Sequence, residues 1–88
     1  MEAISIADAR EATLALLNRR ASEATICPSE VARALAPMAW RDMMPMVHAA
    51  VDELVHAGLA RLSWKGRAVP SRTGPYRIRR GDGIRLPA

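Results

Sequence analysis

The sequence predicts an α+β fold, mainly α, in which three helices are followed by a C-terminal β-hairpin. Three observations point there. Apolar residues recur at helical spacing in three stretches before Gly58, the period drops to two from Ala60, and Lys65-Gly66 is a tight-turn pair between two short alternating runs. At 88 residues there is room for one domain with one small core. Seventeen Ala and no Phe mean that this core depends on closely packed helices built around a few Leu, Val, Met and Trp side chains.

Ser5 followed by Asp8 fits a capping box, so the first helix is expected from residue 6, and Thr13, Leu14, Leu16 and Leu17 carry its apolar stripe to about Arg20. Residues 25–27 could form a very short strand. Pro28 suits the first position of a second helix, Glu30 falls in its positive first turn, and Val31, Ala32 and Leu35 face inward until Pro37 stops it. Residues 38–44 are expected to hold a single turn around Trp40, with Pro45 opening a long third helix unless the two pieces form one kinked rod. Val47, Val51, Leu54 and Val55 are its inward residues, and Gly58 supplies the left-handed position that ends it. Residues 60–64 and 67–69 then read as two strands, 70–75 as a loop and 76–80 as a further extended segment. Helix, short strand, helix, turn, helix and hairpin is the order of a winged helix-turn-helix domain with a β-hairpin wing. Its expected extent is 1–80, with 81–88 as a tail.

Charge divides along the same boundary. From Arg61 onward eight basic residues, Arg61, Lys65, Arg67, Arg72, Arg77, Arg79, Arg80 and Arg85, face a single acid, Asp82, whereas residues 1–60 hold five basic residues against eight acids. Such a basic end is the electrostatic footprint of a polyanion, with nucleic acid first and anionic lipid second. No apolar run approaches the roughly 18 residues of a membrane span, no signal peptide is evident, and the lone Cys27 suits a reducing cytoplasm.

The segments T-I-C-P-S-E-V-A-R-A-L at 25–35, W-R-D-M-M-P-M-V at 40–47 and K-G-R at 65–67 resemble a family of small bacterial winged-helix proteins of unknown function. The resemblance runs from about Leu14 to Leu86. It implies the winged-helix fold and a bacterial cytoplasmic protein, and it brings no activity. Relatives often carry a basic residue where this chain has His48.

In a DNA-binding domain of this type the third helix enters the major groove and the wing contacts the backbone or minor groove. The outward face of the expected third helix carries Met46, Ala49, Asp52, Glu53 and His56, with no Arg or Lys from Met43 to Leu59, which argues against base reading by that helix. The wing argues the other way. Lys65, Arg67, Arg72, Arg77 and Arg79 are the expected phosphate or minor-groove contacts, with Arg41 and His48 as secondary ones. Strand alternation puts Arg77 and Arg79 on one face, with Tyr76 and Ile78 on the other.

The remaining candidates have bland readings. Cys27 at a helix N-terminus is a small buried residue before it is a redox sensor. His48 and His56 stand about 12 Å apart along one helix and cannot share a metal ion. Trp40 and Trp64 are core anchors before they are stacking platforms, and Met38, Met43, Met44 and Met46 fill the core before they form a docking patch. No nucleophile, base and orienting group come together, and no cofactor or metal is implied. The expectation is therefore a nucleic-acid-binding protein, DNA ahead of RNA, with transcription regulation among its roles and no enzymatic activity. The alternative is a protein-interaction module that uses the acidic third helix and the Met cluster to bind a protein partner or a second copy of the chain.

Overall fold

The computed structural model of the chain describes residues 3–82. The element order is α1 (Ile6–Asn18), α2 (Pro28–Leu35), α3 (Trp40–His56), β1 (Ala60–Trp64), β2 (Arg67–Val69) and β3 (Arg77–Arg80). This is the α+β, mainly α layout expected, three helices and then a small antiparallel sheet, and it is winged-helix-like.

α1 begins with the capping box. The Asp8 N–H donates to Ser5 Oγ at 3.2 Å and the Ser5 N–H to Asp8 Oδ2 at 2.8 Å. The helix ends two residues before the expected Arg20, and its last carbonyls are taken by the Arg80 guanidinium, which reaches Leu17 O at 3.2 Å, Asn18 O at 3.3 Å and Arg20 O at 3.1 Å. An arginine from the last strand thus satisfies orphan acceptors of the first helix. In α2, Pro28 takes the first position and Glu30 Oε2 accepts from the Cys27 N–H at 2.7 Å.

Of the two readings of residues 38–56, the structure has the single rod. α3 starts at Trp40 and passes through Pro45, whose missing N–H forgoes only the bond to the Arg41 carbonyl near the open end of the helix. Continuity places Trp40, Met43 and Met44 against the same core as Val47, Val51 and Leu54, and that burial offsets the lost bond. The helix ends in a Schellman motif. Gly58 has φ 79°, the Leu59 N–H donates to Leu54 O at 2.9 Å, and the Gly58 N–H donates to Val55 O at 3.0 Å.

β1 and β2 form the expected hairpin through Lys65 (φ 52°) and Gly66 (φ 80°), both left-handed as a type I′ turn requires. The extended segment after the loop starts at Arg77 and lies on the other side of β1, so the sheet order is β2-β1-β3. On the free side of β3, Ile26 and Ile78 exchange two backbone hydrogen bonds of 2.8 Å, which ties the segment between α1 and α2 into the sheet. The core is Leu17, Ile26, Val31, Ala32, Val47, Val51, Leu54, Ala60, Leu62, Tyr76 and Ile78. Ala32 is fully buried, the small residue that α2 needs where α3 packs on it. Gly81, the first residue of the expected 81–88 tail, is buried and donates to Leu59 O at 3.0 Å, while residues 83–88 of that tail lie outside the described residues.

Candidate nucleic-acid interface

Strand register decides where the basic side chains point. Leu62 pairs with Ile78 and with Val69, and Leu62 and Ile78 are buried under the helices. By alternation, Arg61, Ser63, Arg77 and Arg79 share the opposite, outer face, Arg61 directly across from Arg79 and Ser63 across from Arg77. Tyr76 and Ile78 are both buried, as the alternation predicts. Arg67 pairs with Trp64 two positions beyond Leu62, so it belongs to the helix side of the sheet. The wing cations are therefore not one cluster but are divided between the two faces.

Several of them already have partners inside the chain. Arg72 makes a bidentate pair with Asp52 on α3, Nε to Oδ1 at 2.9 Å and Nη2 to Oδ2 at 2.8 Å. That fork holds the Asp52 carboxyl below the usual carboxylate range and raises the Arg72 guanidinium. One helical turn earlier on α3, His48 Nδ1 lies 2.6 Å from the hydroxyl of buried Tyr76. Burial, helped by the Arg72 charge, lowers the imidazole pKa, and burial raises that of the Tyr76 phenol. Arg77 Nε donates to Thr25 Oγ1 at 2.7 Å and its Nη2 to Thr25 O at 3.3 Å. Arg79 is half-buried, with its Nε lacking a partner. Lys65 and Arg67, at the hairpin turn, are exposed and make no ion pair among the described residues.

The acidic face of α3 is altered by the same contacts. Asp52 is held by Arg72 and Glu53 by Arg10 of α1, so neither carboxylate stands alone against a polyanion. Arg61 pairs with Asp82, and Arg20 with Glu30 at 3.1 Å. Val55, Ala60, Leu62, Val69 and Pro70, with the paired Arg61 and Asp82 at its rim, line an open and mainly apolar groove of about 590 Å³.

The α2–α3 junction holds an arrangement that the sequence does not disclose. Trp40 is half-buried against the core, and the guanidinium carbons of both Arg33 and Arg41 lie 4.5 Å from the centroid of its ring. Arg41 is among the expected secondary contacts, whereas Arg33 carries no local signal, being a basic residue in the last turn of a short helix. Cys27 is half-buried as the N-cap of α2, where its sulfur accepts a hydrogen bond of 3.1 Å from Ser29 Oγ. Among the described residues no three His, Cys, Asp or Glu side chains gather as metal ligands, and no helix is long and apolar enough to cross a membrane.

No curated protein matches the chain. Residues 7–81 match the model of a family described as proteins of unknown function, DUF3253, and the chain belongs to that family.

Proposed function

We propose that this is a winged-helix nucleic-acid-binding protein, with DNA ahead of RNA as its ligand, acting in the cytoplasm of a bacterium as a transcription regulator and not as an enzyme. One observation carries the reading. At the tip of the hairpin, a left-handed turn presents Lys65 and Arg67 to solvent with no carboxylate partner among the described residues. Cations in that state release counterions when they meet phosphate, which is the main source of sequence-independent affinity. The neutralised state of Asp52 and Glu53 supports it, because α3 can approach a duplex without two bare carboxylates facing the backbone. Arg41 adds a contact at the start of α3, and Arg79 and Arg77 add weaker ones on the outer face of the sheet. Affinity in this reading is mostly electrostatic, and base discrimination by α3 is small because no Arg, Lys, Asn or Gln lies on its length after Arg41.

The test is a titration of labelled duplex DNA, single-stranded DNA and RNA at several salt concentrations. About four phosphate contacts give a slope of log K against log salt near −3.6, roughly a 150-fold loss between 50 and 200 mM. The double variant Lys65→Ala/Arg67→Ala is expected to reduce that slope by about 1.8. No binding at low salt defeats the proposal.

A second reading, a protein-interaction module formed by α3 and the Met cluster with a protein partner or a second copy of the chain, is favoured by Met38, which is 98% exposed. Against it, Met43 and Met44 pack on the core and two of the three α3 acids, Asp52 and Glu53, are paired. Concentration-dependent dimerisation abolished by Met38→Ser, with no nucleic-acid binding, would favour this reading over the first.

A further inference from the structure

Two guanidinium groups stacked on one indole at a helix junction are an unusual use of charge. Arg33 lies in the last turn of α2 and Arg41 in the first turn of α3, and the turn between the two helices brings both to Trp40, each at 4.5 Å from the ring centroid. Each contact with the ring face is attractive but weak at an exposed site, and the two like charges repel each other. No carboxylate relieves that repulsion, since neither arginine forms an ion pair among the described residues. Asp42, next to Arg41 in sequence, is exposed and also unpaired among the described residues, and Glu30, the acid nearest to Arg33 in sequence, pairs with Arg20 instead. Trp40 packs partly on the core, and the two arginines whose guanidinium carbons lie over its ring are both exposed. A guanidinium resting on a packed indole gives up less freedom than an unrestrained one when it accepts a bidentate oxyanion.

We infer that Arg33, Trp40 and Arg41 form a phosphate-binding clamp for a nucleic-acid backbone, separate from the hairpin turn. The inference rests on the nucleic-acid reading above and adds a second contact region to it. Arg33 and Arg41 contact phosphate oxygens, and Trp40 is a positioning residue that holds both. With the hairpin turn on one element and the clamp on another, the domain grips the backbone at two places. That arrangement fixes register on the polymer without reading bases.

The experiment uses the full chain carrying Trp64→Phe, which leaves Trp40 as the one tryptophan of two. A duplex oligonucleotide titrated into this protein is expected to change Trp40 emission with the same midpoint as binding measured on the labelled duplex. Arg33→Ala/Arg41→Ala is expected to lower the salt slope by about 1.8 and the affinity by about 60-fold at 0.1 M salt. Arg33→Lys/Arg41→Lys keeps both charges and should retain the slope while losing part of the affinity. Trp40→Leu should behave likewise, with its folding checked by circular dichroism and thermal melting. If the duplex binds with a slope that Lys65→Ala/Arg67→Ala reduces but Arg33→Ala/Arg41→Ala does not, the clamp is overturned and the wing reading stands. If nothing binds at low salt, both fall.

Discussion

His48 Nδ1 and Tyr76 Oη lie 2.6 Å apart, joining the middle of α3 to the segment that leads into β3. Asp52, one turn further along the helix, holds Arg72 of the same segment. The two contacts pin the loop after β2 across α3. Tyr76→Phe leaves the packing intact and removes one side of the first contact, so it is expected to destabilise by about 1 kcal/mol, a drop in Tm of about 4–8 °C for a domain of this size. Thermal melting followed by circular dichroism reads it.

The same contact sets a pH dependence. The charged and titratable groups around His48 are Asp52, Arg72 and Tyr76, and the net effect of burial and the Arg72 cation is a folded pKa below 6.5. The unfolded chain then binds more protons than the native one between the folded value and 6.5, so stability rises with pH through that window and falls as pH drops through the folded pKa. His48→Gln, which cannot titrate, is expected to flatten the stability profile from pH 6.5 downward through the folded pKa of the imidazole. A profile of the variant as steep as the wild type's would assign the dependence to another group.

Asp52→Asn tests charge neutralisation on α3. Both partners are substantially exposed, so the pair itself is expected to contribute less than about 1 kcal/mol of stability. Its pKa is lowered chiefly by the Arg72 hydrogen bond, so that contribution is present above the ordinary carboxylate value of 3.8 and lost as pH falls through the folded one. The larger effect is on ligand. The substitution removes an acid and frees Arg72, and it is expected to tighten nucleic-acid binding and steepen the salt slope by about 0.9.

Arg80 is a structural arginine within a basic segment. Its contacts with Leu17 O, Asn18 O and Arg20 O cap α1 from the far end of the chain. Arg80→Ala is expected to cost about 2 kcal/mol, with faster amide exchange in the last turn of α1. The salt slope of nucleic-acid binding should not change. A reduced slope with unchanged stability would instead place Arg80 among the phosphate contacts.

A Cβ at residue 81 would lie 2.4 Å from Gly58 O and 2.9 Å from Ala60 N, both backbone atoms that cannot turn aside. Gly81→Ala is expected to destabilise by about 1–3 kcal/mol in chemical denaturation. Gly74, where an added methyl meets nothing within 4 Å, is the control, and Gly74→Ala should fall within about 0.5 kcal/mol of wild type.

Local signals locate the helices and turns well. The capping box at Ser5, Pro28 at the start of α2, Gly58 past the end of α3 and the Lys65-Gly66 turn are each recognisable because a few adjacent residues satisfy or constrain the backbone there. Pro45 is ambiguous for the same reason. A proline near a helix start is tolerated or disruptive according to what the rest of the helix buries, and Trp40, Met43 and Met44 bury against residues distant in sequence.

The amino-acid order by itself determined the α+β layout and the excess of positive charge after Arg61, since periodicity, turn chemistry and composition act within a few residues. Only the tertiary structure decided which cations remain available. The β1–β3 register sent Arg77 and Arg79 to the face opposite Arg67, α3 brought Asp52 to Arg72, and the junction of α2 with α3 put Arg33 and Arg41 on one tryptophan. A side chain's charge is written in its own residue, but whether that charge is neutralised depends on neighbours tens of residues away, which come together only when the chain folds.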